Sequence, residues 1–326
     1  MRKDNKNEQI VEGRLYEFDL SKKTVKNEKS RNYGIEFING SVSIATNEDG
    51  TNVLKVHYTF EPPVNSKSQT TNNKFSALVR IMESGKTWLK DGKEAATKIR
   101  IVGSLGLNDF YPNGGDELRS QKIIKGGFID FLNDFKSPQG INRQKFTVDT
   151  VISSADFVQA DPEKGTENYV KLDCKLFDFR NAILPYTLIA KSPEAMDYFV
   201  KLQYPVYTRV WGENINSTIT KEQKTESAFG GTIVDYVPVN HRELIITGAS
   251  PTTYVYDKTN TLSGENVITE AEIEKVMADR NIYLETVKAS SKAYYDSKKA
   301  QSNVSSAFNA STTMAVPEGD FASYFG

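Results

Sequence analysis

The chain has very little sulfur or imidazole: one cysteine, Cys174, and two histidines, His57 and His241, in 326 residues. A single thiol closes no intramolecular disulfide, which fits a reducing compartment. One thiol and two isolated imidazoles also fall short of an ordinary zinc site, so no cofactor and no metal are expected. Long apolar runs are missing. No stretch approaches the ~20 residues that cross a bilayer, and the charged residues 1–8 are not followed by the apolar core of a signal peptide. A cytoplasmic location away from membranes is the expectation. Strong charge of one sign is absent too, since the net charge is -1. Any surface for a polyanion would therefore have to gather its cations on one side. What remains is ordinary globular composition, and the length suggests about two domains.

Catalytic motifs are equally scarce. Ser84-Gly85-Lys86-Thr87 has the last letters of a phosphate-binding loop, but Arg80 stands where the first glycine belongs. Gly85 also follows a helical stretch instead of opening one. Asp173 and Asp178 lie in or near a strand and Asp109 and Asp116 in loops, with no spacing that gathers metal ligands. An enzyme is not expected.

The order of elements is more informative. Strands read over Ile10 to Leu20, Tyr33 to Ala45 and Asn52 to Phe60, with Asn39-Gly40 marking a turn or a bulge. Phe75, Leu78, Val79 and Met82 then fall at helical spacing up to Gly85, and Lys98 to Ile101 resume a strand. The second half repeats this: strands at Phe146 to Ala155, Tyr169 to Arg180 and Ile183 to Ala190, then a helix announced by Ser192-Pro193-Glu194. Strand follows again from Val206, with a closing strand at Arg242 to Thr247. Three strands, a helix and further strand is the element order of the OB-fold, a five-stranded barrel that binds oligonucleotides or oligosaccharides. The expected fold is thus mainly β: two OB-fold-like small barrels, each with one helix between strands, plus a C-terminal helix and a disordered tail. Thr269-Glu270-Ala271-Glu272 is a capping box, and Ile273, Val276, Met277, Arg280, Tyr283, Leu284 and Val287 form the helix's stripe. The expected division is a flexible 1–8, barrels at 9–140 and 141–257, a helix at 265–290, and a disordered 291–326.

Candidate binding residues centre on Tyr204-Pro205-Val206-Tyr207-Thr208-Arg209-Val210-Trp211-Gly212. Strand alternation puts Val206, Thr208 and Val210 on one face and Tyr207, Arg209 and Trp211 on the other. Two rings around a guanidinium are what a protein needs to stack bases and hold phosphates without reading sequence. Lys98 and Arg100 occupy the matching strand of the first half. Lys171, Lys175, Phe177 and Phe179 share a second strand face. Phe110 and Tyr111 flank a loop followed by Arg119, Lys122 and Lys125, a mobile basic clamp by this reading. At the far end, Glu318, Asp320, Phe321, Tyr324 and Phe325 bring acids and aromatics together.

With its tandem small barrels, its lack of an enzyme motif and this acidic-aromatic tip, the chain resembles the single-stranded DNA-binding proteins of bacteriophages of low-GC Gram-positive bacteria. The resemblance implies sequence-tolerant coating of single-stranded DNA in replication or recombination. It also implies that the tip docks replication or recombination proteins, although the chain ends in Gly326 where the wider family ends in Pro-Phe. A phage structural or adaptor protein of the tail or baseplate, and a carbohydrate-binding module of the same fold, are the competing readings.

Overall fold

A computed structural model describes residues 5–65, 68–138, 141–161, 167–226, 229, 232–251 and 254–306. The first half contains β1 (Asn7–Thr24), β2 (Glu36–Ala45), β3 (Val53–Glu61), α1 (Asn73–Ser84), α2 (Trp88–Asp91), β4 (Lys98–Phe110) and β5 (Arg119–Phe131). The second contains β6 (Lys145–Val158), β7 (Tyr169–Phe177), β8 (Ile183–Ala190), α3 (Pro193–Val200), β9 (Val206–Glu226) and β10 (Thr232–Ala249). A short parallel pair, β11 (Val255–Asp257) and β12 (Val267–Thr269), leads into α4 (Glu270–Ser306). The chain is mainly β, with a helix at the same place in each half and a long helix after them.

The helix ends follow local chemistry. Asn72 caps α1 by accepting from Lys74 N, and Gly85 closes it through its N–H to Ile81 O. Thr87 then caps α2 by accepting from Lys90 N. The Ser84-Gly85-Lys86-Thr87 segment is therefore one helix stop and the next helix start. Ser192 caps α3 with Pro193 in its first turn. At α4 the capping box closes both ways, Glu272 Oε2 accepting from Thr269 N at 3.0 Å and Thr269 Oγ1 from Glu272 N at 3.3 Å. Asn39-Gly40 is a bulge, not a hairpin turn. The β2–β3 register shifts between Ile38 and Gly40, and a β-carbon at Gly40 would sit 1.9 Å from Asp19 O.

Strand pairing runs the same way in both halves. In the first, β1–β2, β2–β3, β3–β5, β5–β4 and β4–β1 return to the starting strand, with β3–β5 parallel. In the second, β6–β7, β7–β8, β8–β10, β10–β9 and β9–β6 do likewise, with β8–β10 parallel. Asn7 to Gln9 of β1 pair with Phe146 to Val148 of β6 and join the two circuits into one ten-stranded sheet. The main apolar core contains residues of both, from Val11, Ile44 and Leu78 to Leu172, Leu188 and Phe199.

Two expectations need correction. Arg119, Lys122 and Lys125 lie on a strand instead of a mobile loop, because β5 pairs with β4 along its length and Ile124 and Ile129 anchor it in the apolar core. Glycine makes that fit: a β-carbon at Gly126 would strike the Tyr58 ring at 2.2 Å. The C-terminal helix spans Glu270–Ser306, where 265–290 was expected, and so runs on through residues 291–306. No Gly or Pro interrupts this stretch, and Lys292 and Tyr295 pack on Gly114. The acidic-aromatic tip at 318–325 lies outside the described residues.

Candidate nucleic-acid interface

The β9 stretch does not present its rings to water as expected. Tyr207 is 1% exposed, in a second core with Val151, Phe177, Ile183, Ile268 and Ile273. Its hydroxyl donates to Asn5 Oδ1 at 2.7 Å, and its ring meets Phe177 and Tyr254 edge-on. The outer face of β9 is covered because β12 and the first turn of α4 fold back over it. Burying Ile268 and Ile273 there contributes about 1.5–3 kcal/mol each. Arg209 grips the buried Asp149 through two bonds of 2.6 and 2.9 Å, which raises the guanidinium pKa further. Trp211 is half-buried and lies across Gly248, where a β-carbon would come within 2.5 Å of the indole.

Other candidates are likewise engaged. Lys98 reaches Asn133 O at 2.8 Å, and Arg100 reaches the buried Glu12 at 3.0 Å. Lys175 bonds Ser153 Oγ. Phe177 and Tyr111 are buried, the latter beneath Lys288. Phe179 falls in the turn after β7, 82% exposed, with Arg180 over its ring at 5.1 Å. Phe110 is partly exposed opposite Arg119, which lies 3.9 Å from Glu117. Lys125 lays its stem over Gly106.

Two of the predicted cations do share a site. Lys122 of β5, which donates to Thr187 O at 3.4 Å, and Lys171 of β7 both line a cleft of about 540 Å³ between the halves. Lys55 of β3 and Arg242 of β10 complete its rim. Among the described lining residues the one carboxylate, Glu243, is held by Lys191 at 2.5 Å. Lys171 pairs with an exposed partner, Asp173, at 3.6 Å, a loose pairing that water screens. Apolar side chains line the interior: Ile123, Ile189, Ile215 and Leu244, with the Tyr169 ring beside them. Gln121, Asn214 and Asn216 add amides, and Arg242 donates to Asn216 Oδ1 at 2.8 Å. His57 also lines the cleft; burial, and then the neighbouring Lys55 charge, hold its pKa below the usual imidazole value. No sequence signal gathers these residues, because they come in short groups from strands spread over both halves of the chain.

The cleft is held by polar bonds across the joint. Gln144 Oε1 accepts from Thr46 at 2.7 Å and Asn52 at 2.5 Å, while its amide donates to Glu213 at 3.1 Å. Asn216 N donates to Asn52 Oδ1 at 2.7 Å. On the far wall the Tyr186 hydroxyl, whose pKa burial raises, donates to Gly106 O at 2.6 Å, and Lys122 sits 5.2 Å from its ring. Thr46, Asn52 and Gly106 belong to the first half, and Gln144, Asn216 and Tyr186 to the second, so these bonds tie the halves together. Among the described residues no three His, Cys, Asp or Glu groups gather where a metal could sit, and burial pushes the Cys174 thiol up to about 12. No helix of the described residues is long and apolar enough to cross a membrane.

The molecule is thus a mainly β chain whose two strand circuits flank a cation-rimmed cleft. It belongs to the YorF family, whose sequence profile matches residues 6–290. No curated protein sequence matches it. Among solved structures it is similar to the wild-type single-stranded DNA-binding protein from Thermus aquaticus, at 12% identity and a TM-score of 0.44. That match covers 80% of this chain and 97% of the other. A deletion mutant of the same protein gives the same score and identity over 79% and 98%. A likeness this slight defines neither a fold nor a ligand.

Proposed function

We propose that the chain binds single-stranded DNA, without sequence preference, in the cleft between two OB-type barrels formed by its strand circuits. The observation that carries this reading is the cleft's cross-section: cations on the rim, apolar side chains and two tyrosines, Tyr169 and Tyr186, in its walls. A single strand has both surfaces to match, phosphates for Lys55, Lys122, Lys171 and Arg242 and unstacked bases for Tyr169 and the isoleucines. A duplex keeps its bases stacked within and offers this apolar interior nothing. Asn214 and Asn216 engage their amides with Gln9, Val53 and Arg242, which leaves Gln121 to meet base edges without a bidentate pattern and suits tolerance of sequence. Replication and recombination are the settings that expose such strands, and the chain serves there by covering them.

The test is fluorescence anisotropy with labelled oligothymidylate, its duplex and the matching RNA over a series of salt concentrations. Single-stranded DNA is expected to bind more tightly than duplex. Removing one phosphate-binding cation should lower the log–log salt slope by about 0.7. The double substitution Lys171→Glu with Arg242→Glu should weaken binding at least tenfold without lowering the melting temperature. Equal affinity for single strand and duplex, or no effect of that substitution, would overturn the assignment.

A further inference from the structure

α4 changes charge along its length. Residues 270–285 contain Glu270, Glu272, Glu274, Asp279 and Glu285 against Lys275 and Arg280, whereas 286–306 contain Lys288, Lys292, Lys298 and Lys299 against Asp296. The acidic part packs on the second half of the molecule, where Ile273, Val276 and Met277 cover β9. The basic part lies over residues 112–114 of the first half. The helix dipole does not account for this, because its effect fades within about the last turn and Lys288 stands about five turns before the helix end. Two rings lie among these lysines: Tyr294 and Tyr295 meet edge-on at 5.4 Å, and Lys298 covers Tyr294 at 5.2 Å.

This surface is continuous with the cleft. Along β5, Lys122 and Gln121 line the cleft, Ser120 donates to Asp109 at 2.5 Å, and Asp109 is gripped by Arg280 of α4 at 3.0 and 3.2 Å. Arg119 is next, at the foot of the loop that carries α4's basic end. There Lys288 pairs with Asp116 at 2.8 Å and covers Tyr111, which fixes the helix on the loop. Lys292, Lys298 and Lys299 remain exposed.

We infer that the basic half of α4 is a second nucleic-acid contact, one that takes the strand beyond the cleft past Arg119. It rests on the single-strand reading of the cleft. The occupant is the sugar-phosphate backbone of that same strand, chosen by charge complementarity and by the unbroken path along β5. Lys292 and Lys298 hold phosphates, and the tyrosines support them. The YorF match ends at residue 290, so most of this surface lies beyond the family's shared stretch.

The experiment compares oligothymidylates of about 10 and about 30 nucleotides, one within and one well beyond the span of about 4–16 nucleotides that a single barrel usually covers. Both are titrated against the full chain and against Lys292→Glu with Lys298→Glu. The long oligonucleotide should lose on the order of tenfold in affinity at 0.1 M salt, with the slope reduced by about 1.4, while the short one is unchanged. Unchanged binding of both lengths by the helix variant, with loss of both by the cleft variant, overturns this inference and leaves the cleft reading standing. Equal loss of both lengths overturns it as well, since the helix would then act on the cleft itself. A change in sedimentation without a change in binding would assign the lysines to contact with another chain and refute the inference. Failure of the unsubstituted chain to bind either length overturns both. Circular dichroism melts of each variant identify any loss that comes from unfolding.

Discussion

His57 stands among the cations of the cleft with its pKa held below the usual value, so at pH 7 it is neutral. A bound phosphate would favour the charged imidazole, and affinity for oligothymidylate should rise as pH falls from 7 through that lowered pKa. His57→Gln is expected to flatten the rise while leaving affinity at pH 8 unchanged, read by anisotropy at each pH. Stability runs the other way. The neutral ring's contribution is fully present above the unfolded value near 6.5 and is lost as pH falls through the folded one. Tyr207 is the second case at this scale. Its alternation with Arg209 and Trp211 was legible in the sequence, but alternation says only that the three share a face, not what covers it. The cover arrives about sixty residues later, at Ile268 and Ile273. Tyr207→Ala should therefore cost about 3–5 kcal/mol in urea unfolding and leave the DNA affinity of the folded fraction unchanged. A loss of affinity at unchanged stability would return this ring to the binding site.

Among elements, α4 separates what local chemistry reveals from what tertiary contact decides. Its start was legible because a capping box is a pattern within four residues, and its stripe because Ile273, Val276 and Met277 recur at helical spacing. Its second half was not, since Ala, Ser and Lys have little to bury and the surface beneath them is a loop of the other half. The helix is pinned by Arg280 and Asp109, with side chains 9% and 2% exposed. Arg280→Met leaves Asp109 a buried carboxylate without that partner and should cost about 3–5 kcal/mol, measured by denaturant unfolding. The sparse hydrophobic pattern of β5 misled in the opposite sense. Its glycines suggested a loose segment, whereas Gly126 and Gly127 are where Tyr58 and Val102 come closest to the strand.

For the whole molecule, the repeated order of strands and helix was open to reading because each half's elements are contiguous in sequence. The cleft was not, because it exists only between halves. Lys55, Lys122, Lys171 and Arg242 belong to four strands, and each alone is an ordinary surface cation. The joint that aligns them is main-chain pairing of β1 with β6 backed by Gln144, Asn52 and Tyr186. The peptide running from one half to the other therefore does little to keep them aligned. If the chain were cut in that connector, the two pieces should find each other when expressed together and co-purify as an active pair. Unlike beads on a string, neither piece should be well behaved by itself.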